Sequence, residues 1–556
     1  MKAIKEYILK GGTIVDAAAG TTLLADVHIK DGKIAKIGQI DNKEAVVIDC
    51  TDKIITAGYI NAHVHIESSM ALPSIYGTAV LPWGTTSVIA DPHEIANVGG
   101  AEALRLFLQL ASQAPINIYT VIPSSVPATP YDTNGAGKLL AEHLTEFIGR
   151  PDVVGLGEVM CCNNVVARDP EIMDKIALFK DYVIDGHMAG LPENLFDAYI
   201  SAGIHNDHEC IDCEGLMQRY NRGLNIYVRE GDAARNSQEL LSYAFQNGLD
   251  AGRFAFATDD KHLATITFEG EVAYQVAMAR DLGWSWPDVA KMASYNTSRF
   301  YKLPNIGNVQ EGFIADLVVT NDMGLGVYYV FKNGILVAQN GQLEEGMIND
   351  VRTNYEFTNT VSFKQLTADD FIMPEEAKQW ALSLVKEQLI TQLETLAENE
   401  WKSLPMLATI ERYGKNGNLA MCPFKGYNIK NGAVATSVSH DSHNVVCAGD
   451  NPEDMALAAN RLREIGGGYV VASCGNILCE MALPAFGLMS HEDAATIAAN
   501  ISAAESAAYS LDVSFEINPF TTLSFVALPV IPFVRLLDTG LYDVINNKFL
   551  YKVNMD

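Results

Sequence analysis

Short apolar runs alternate with amphipathic stretches through the middle of the chain. The runs are YINAHVH (59–65), TTSVIAD (85–91), INIYTVIP (116–123), VVGLGEV (153–159), YVIDGH (182–187), GIHNDH (203–208), LNIYVRE (224–230) and FAFATDD (254–260). Helical patterns such as GGAEALRLFLQLASQ and DPEIMDKIALFKDY lie between most of them. Nearly continuous apolar runs belong to strands buried on both faces, and helix-length spacers imply parallel connections. Eight such units in about 245 residues predict a (β/α)8 barrel over residues 58–302. An open doubly wound sheet is the competing topology, but it calls for a Gly-rich phosphate loop after its first strand, and none is present.

The segments flanking this block alternate with a period of two. Val27 and Ile29, then Ile34 and Ile37, stand on either side of Asp31-Gly32, a two-residue hairpin turn. GFIADLVVTND (312–322) and YYVFKNGILVAQNG (328–341) repeat the pattern around Asn333-Gly334. Together they predict one small β domain, residues 1–57 and 303–350, split in sequence by the barrel; two unrelated β pieces are the alternative. Residues 351–556 read as a separate C-terminal α+β domain. It opens with a long helical pattern, PEEAKQWALSLVKEQLITQLETLAENEW (374–401). Strands follow in LATIERYG, LAMCPFKGYNI and AVATSVSHDSHNVVCAGD, then a helix–strand unit, EDMALAANRLREIGGGYVVASCG. Gly466-Gly467-Gly468 lacks the lysine of a phosphate loop and reads as a turn.

Composition narrows the class of protein. A length of 556 residues suggests three or four domains, and 48% hydrophobic with 19% charged residues is an ordinary globular balance. The net charge of −29 disfavours nucleic acid or an anionic membrane surface as partners, and serves solubility. No run of about 18 apolar residues could span a bilayer, and MKAIKEYILKGG has no signal-peptide core. Nine scattered cysteines, an odd number, argue against a disulfide framework and for a reducing, cytoplasmic location. Cys210 and Cys213 form the only C-x-x-C, without a second pair to complete a structural zinc site.

Candidate chemistry lies where polar residues fall at the carboxyl ends of the predicted strands, the end at which barrels carry their sites. His63 and His65, two apart on one strand, share a face. Glu158 ends the fourth run, His187 the fifth, His208 the sixth and Asp259 the eighth. A lone histidine there is ordinarily a hydrogen-bonded residue; four of the twelve in the chain, with two carboxylates, favour a metal site. The set exceeds the needs of one tetrahedral zinc and suits two divalent ions about 3.5–4 Å apart bridged by a carboxylate. Nitrogen and oxygen ligands without thiolate admit zinc, iron or manganese. Glu67 and the pair His93-Glu94 follow strand ends too, as proton carriers, additional ligands or hydrogen-bonding partners of the ligands. Cys161 and Cys162 are assigned to packing, and Ser124-Ser125 lacks a nucleophile-elbow context.

The order His-x-His, Glu158, His187, His208, Asp259 resembles the amidohydrolase superfamily, whose small β domain is also made from both flanks of a barrel. More narrowly, NAHVHIESSM (61–70), TTSVIADPHEIANVGG (85–100), GLGEVM (155–160), DGHMAG (185–190), NDHE (206–209) and ATDD (257–260) resemble the adenine deaminase family. SHDSHN (439–444) and LPAFGLMS (483–490) fit the extra C-terminal domain of that family, so the resemblance spans nearly the whole chain. Many superfamily members bridge their metals with a carboxylated lysine; the narrower resemblance implies the intrinsic carboxylate of Glu158 instead. It further implies hydrolytic deamination of adenine to hypoxanthine and ammonia, two divalent transition-metal ions (manganese or iron ahead of zinc) and a small-molecule purine base as partner; a homo-oligomer is expected, which the acidic composition and large apolar fraction permit. Asp259, preferred over Asp260 because it directly follows Thr258, is expected to carry a proton on a second oxygen left free by the metal. Glu158, Glu67, His93 and Glu94 complete the expected catalytic set. Another amidohydrolase reaction, such as cyclic-amide hydrolysis, uses the same centre; an inactive barrel serving as an interaction protein is disfavoured because all six ligand positions are filled. His440, Asp441 and His443 resemble a metal motif but lack a carboxylate framework nearby in sequence. A loop hydrogen-bonding role is preferred for them, with a reach over the barrel mouth left open.

Overall fold

The computed structural model describes residues 6–345, 357–386 and 390–553. Eight parallel strands form the barrel: Tyr59–Val64, Thr85–Ala90, Asn117–Ile122, Val153–Val159, Val183–Gly186, Asn206–Asp207, Asn225–Arg229 and Phe254–Ala257. The first five pair in order, as do the last three. His205 N–H donates to the Ile184 carbonyl at 3.0 Å, joining the fifth strand to the sixth. Asp259 N–H donates to the His63 carbonyl at 3.0 Å and His65 N–H to the Asp259 carbonyl at 3.3 Å, which closes the ring. Strands with helices outside and packed side chains inside have no solvent face, so TTSVIA is buried at every position and carries no alternation. Gly186 permits the close approach of the fifth and sixth strands, because a Cβ there would collide with the Asn206 carbonyl.

Strands from before and after the barrel share one sheet of nine strands among the described residues. Ile54–Ala57 lies in its middle, parallel to Tyr7–Asp16 and antiparallel to Leu317–Thr320. Both two-residue turns have the left-handed geometry that matches strand twist: φ is 50° at Asp31 and 77° at Gly32, and 50° at Asn333 and 74° at Gly334. The two turns also pack on each other, a Cβ at Gly334 falling 2.7 Å from the Gly32 Cα. The boundary placed at residue 350 lies outside the described residues.

The C-terminal region builds an eight-stranded sheet among its described residues, covered by the helices Pro452–Glu464 and Ala494–Tyr509. Among its described residues, the segment 374–401 read as a helical pattern is not a helix. Trp380–Leu384 and Thr391–Thr395 are an antiparallel pair, with single 3-10 turns at Glu375–Ala377 and Glu400–Ser403. The first of these strands pairs parallel to Leu419–Lys425, with Leu382 opposite Phe424. Glu, Lys, Gln and Leu favour a helix locally, but burial of Ala381 and Leu382 against a strand forty residues away outweighs propensities of a few tenths of a kcal/mol each.

This region is welded to the barrel mouth. Ile66, Met70 and Leu72 share an apolar cluster with Leu483, Leu488 and Met489. Ser490 N–H donates to the Met70 carbonyl at 2.8 Å and Leu72 N–H to the Ser490 carbonyl at 3.1 Å. Between the strands Ala433–Thr436 and Val445–Gly449 a buried loop points at the same mouth. The buried Arg412 guanidinium pins it, donating to the Ser437 and His443 carbonyls at 3.2 and 3.0 Å.

In the nine-stranded sheet the buried Asp316 carboxylate accepts from Lys332 Nζ at 2.8 Å and Asn333 N–H at 2.6 Å. Removing the cation leaves a buried charge short of a partner, so Lys332→Met is expected to destabilise the fold by about 3–5 kcal/mol. Urea unfolding checks this, and an unchanged midpoint rejects it.

Candidate metal centre

The barrel brings the four imidazoles and two acids of the sequence analysis to one buried point. His63 and His65 flank Val64, whose side chain joins the apolar cluster while theirs turn inward. Asn61 locks the first strand to the eighth: its side-chain oxygen accepts from His63 N–H and Thr258 N–H, both at 3.2 Å, and its Nδ2 donates to Thr258 Oγ1 at 2.6 Å. Asp259 sits in the left-handed region, φ 61°, which aspartate tolerates better than most residues and which turns its carboxylate across the mouth.

Glu158 is the hub. Its Oε1 lies 3.3 Å from His65 Nε2, 3.4 Å from His93 Nδ1 and 4.0 Å from His63 Nε2. Its Oε2 lies 2.5 Å from His187 Nδ1 and 3.1 Å from His208 Nε2. Asp259 Oδ1 is 3.0 Å from His65 Nε2 and 3.4 Å from His63 Nε2. The His63 and His208 rings stack with centroids 4.2 Å apart. The backbone of Glu158 is held on both sides: its N–H donates to Asp91 Oδ2 at 2.8 Å, and its carbonyl accepts from Ser124 Oγ at 2.6 Å.

Burial alone would raise the pKa of Glu158, yet His187, His208 and His65 hold it well below the ordinary carboxylate value. Asp259 is likewise held low against its burial by His63, His65 and Arg229. Both acids are therefore in the ionised form that ligates a cation. Both ring nitrogens of His63 and of His208, and Nε2 of His187, are buried without a hydrogen-bond partner among the described residues. Unpaired imidazole nitrogens aimed at ionised carboxylates, with no thiolate among them, fit divalent metal binding.

Of the other expected residues, His93 joins the hub directly, while Glu67 and Glu94 lie behind it. His93 packs edge-on against His65, centroids 4.5 Å apart, and touches Glu158. Glu67 accepts from Ile95 N–H at 3.2 Å, which braces the start of the following helix, and burial pushes its carboxyl up to about 7. Glu94 turns away from the hub toward the C-terminal loop, binding His440 Nδ1 and His443 Nε2. The carboxylate that the His440–His443 motif lacked in sequence is thus supplied from 346 residues earlier, and the loop does reach the barrel mouth. Asp441 Oδ1 is 3.6 Å from His93 Nε2. Cys162 donates to the His187 carbonyl at 3.0 Å and its thiol pKa is raised by burial, so it packs behind the site.

One expectation is overturned. The second oxygen of Asp259 is not free, since Oδ2 accepts from Arg229 Nη1 at 2.9 Å. Arg229 also pairs with Glu209, whose Oε1 lies 3.5 Å from His208 Nε2 and 3.7 Å from His187 Nδ1. An arginine buried beside two acids is compelled to pair with them. Asp91, Glu209 and Arg229 went unassigned in the sequence, although each ends or follows a strand and Glu209 directly follows His208.

A parallel barrel with buried imidazoles and acids at its carboxyl end, groups that could hold a divalent metal, is the arrangement of a hydrolase of the amidohydrolase class, and residues 54–337 match the amidohydrolase family. Residues 383–548 match the adenine deaminase C-terminal domain. Adenine deaminase of Desulfitobacterium hafniense is 35% identical over 554 residues, covering 98% of this chain and 96% of that protein. Adenine deaminase 2 of Carboxydothermus hydrogenoformans is 36% identical over 551 residues, covering 97% and 95%. The chain belongs to the adenine deaminase family. Among solved structures, a crystal structure of an adenine deaminase aligns with TM-score 0.45 and 19% identity over 57% of this chain and 89% of that one. A D-hydantoinase aligns with TM-score 0.45 and 16% identity over 61% and 96%.

Two tests follow from this geometry. A Cβ at Gly157 would collide with the Asp91 carboxylate that holds Glu158, so Gly157→Ala is expected to weaken divalent-metal binding about 10–100-fold in chelator competition; unchanged affinity rejects the supporting role of Asp91. The second concerns Lys175, whose Nζ donates to the Ser124 carbonyl at 2.6 Å and whose ammonium burial pushes down to about 8 from 10.5. The folded protein then binds this proton less tightly than the unfolded chain, so stability rises with pH between those values, by at most about 1.4 kcal/mol per unit. Lys175→Met is expected to lose that rise in urea unfolding between pH 8 and pH 10; a matching pH dependence in both proteins refutes it.

Proposed function

We propose that this chain hydrolyses adenine to hypoxanthine and ammonia at the His–Glu–Asp centre. The observation that carries the reading is the division of Glu158, one oxygen facing His63, His65 and His93 and the other facing His187 and His208. In this reading His63, His65, Glu158, His187, His208 and Asp259 are the residues that would hold divalent ions, manganese or iron ahead of zinc. Such ions, when bound, supply Lewis acidity and ionise water near neutral pH.

The chain's own residues supply the rest. Asp259 Oδ1 faces the histidine pair and takes the proton of the attacking water, while Arg229 holds Oδ2 and keeps the carboxylate oriented. The proton then passes to the purine ring nitrogen next to the attacked carbon; the added hydroxyl gives its own proton to the exocyclic amine, the C–N bond breaks and ammonia leaves as the carbonyl forms. His93 steadies the Oε1 side of Glu158; Glu94 anchors the C-terminal loop over the mouth; Glu67 sets the start of the helix that bears both. His63, Glu158 and His208 are almost wholly buried, which excludes bulk water and strengthens each of these interactions.

The same reading divides the chain into a small β domain from residues 1–57 and 303–350, a catalytic barrel over 58–302 and a C-terminal domain over 351–556. The sheet shared by both flanks supports that division. It also makes the protein a cytoplasmic homo-oligomer. Nine free cysteines agree with a reducing compartment, and none of the described helices is long and apolar enough to cross a membrane.

Chelator-stripped protein reconstituted in turn with manganese, ferrous iron and zinc is expected to release ammonia from adenine with about two ions per chain. Asp259→Asn is expected to lower kcat about 10²–10⁴-fold while retaining most of the metal. Absence of ammonia with all three metals refutes the deaminase reading, and near-full activity of the variant refutes the role of Asp259.

A further inference from the structure

Two cavities lie in series along the seam between the barrel and the C-terminal region. The outer one, about 440 Å³, opens to solvent between Arg235, Phe268, Glu505 and Asn518. The inner one shares Asp232, His262 and Thr521 with it and ends on Ser68, Asp260, His440 and Phe525. Ser68 Oγ donates to Asp260 Oδ1 at 2.5 Å, and Asp260 directly follows the ligand-type Asp259, so the inner cavity abuts the metal centre. Its volume, about 10 Å³, is that of a single water, so a planar base would require the two walls to part.

On the C-terminal wall His440 is held in a defined pose. Its Nδ1 is taken by Glu94 of the barrel, and its ring lies parallel to Phe525 with centroids 4.5 Å apart and planes 17° from parallel. Its backbone N–H donates to the Ser524 carbonyl at 2.9 Å. Nε2 has no hydrogen-bond partner among the described residues, and the ring lines the inner cavity. A polar atom so fixed, unpaired and directed to a cavity beside the reacting centre is a preformed recognition point.

We propose that the C-terminal region supplies the base-recognition wall of the active site. His440 Nε2 hydrogen-bonds a ring nitrogen of the purine, and Glu94 and Phe525 act as positioning residues that set the plane and direction of the imidazole. The proposal rests on the deaminase reading above and adds to it a substrate contact from outside the barrel. A base lacking a ring nitrogen at that point leaves His440 unpaired in a buried site, which makes the contact a source of specificity.

The test uses the metal-reconstituted full chain and two readouts, fluorescence titration with 2-aminopurine and adenine kinetics, with metal content measured in parallel. His440→Ala is expected to weaken 2-aminopurine binding and raise KM for adenine roughly tenfold, with metal content unchanged and kcat less affected. His440→Gln, which keeps a polar group in reach, is expected to recover part of the affinity, and Phe525→Leu to lose less than His440→Ala. Wild-type binding and KM in His440→Ala overturn the inference, as does loss of metal in both His440 variants. Failure of the unaltered protein to release ammonia from adenine overturns the deaminase reading instead, so the two failures are distinguishable.

Discussion

A buried negative charge shared between two groups of imidazoles organises this molecule. Glu158 lies almost wholly out of solvent, where an isolated carboxylate would be costly, so it must be surrounded by partners. Each of its oxygens has its own set of histidines, and its backbone is clamped by Asp91 on one side and Ser124 on the other. Those partners come from the first five strands and the residues after the sixth, with Asp259 following the eighth. Barrel closure is the condition for His63, His65, His208 and Asp259 to meet around Glu158, because a strand end in an open sheet faces only its two neighbours.

The C-terminal region does more than cover the mouth. Arg412 donates to backbone carbonyls of the 437–443 loop, to the Phe486 carbonyl and to Thr360 Oγ1, and so fixes a loop that would otherwise leave buried carbonyls unpaired. That loop carries His440 and His443 onto Glu94, joining the two halves of the chain through a buried, charge-assisted contact. The interface and the site thus share residues, and a change in one is felt in the other.

Much of the fold was legible because the physics is local. The eight apolar runs, the Asp31-Gly32 and Asn333-Gly334 turns, and the strand-end positions of His63, His65, Glu158, His187, His208 and Asp259 all follow from periodicities of a few residues. The segment 374–401 misled for the same reason in reverse: its helical composition is local, whereas the strand pairing of Leu382 with Phe424 is not. The second oxygen of Asp259 was misjudged because Arg229 reaches it from the neighbouring seventh strand, thirty residues earlier in the chain.

The amino-acid order alone determined which residues end strands and which faces are apolar, since side-chain alternation and turn conformation depend only on near neighbours. It determined the barrel and the candidate ligands to that extent. Tertiary structure decided who meets whom: that Glu158 divides its oxygens, that Arg229 and Glu209 stand behind the histidines, and that a loop from the far end of the chain finds Glu94. Contacts between residues hundreds of positions apart depend on how whole elements pack, and no window along the chain contains both partners.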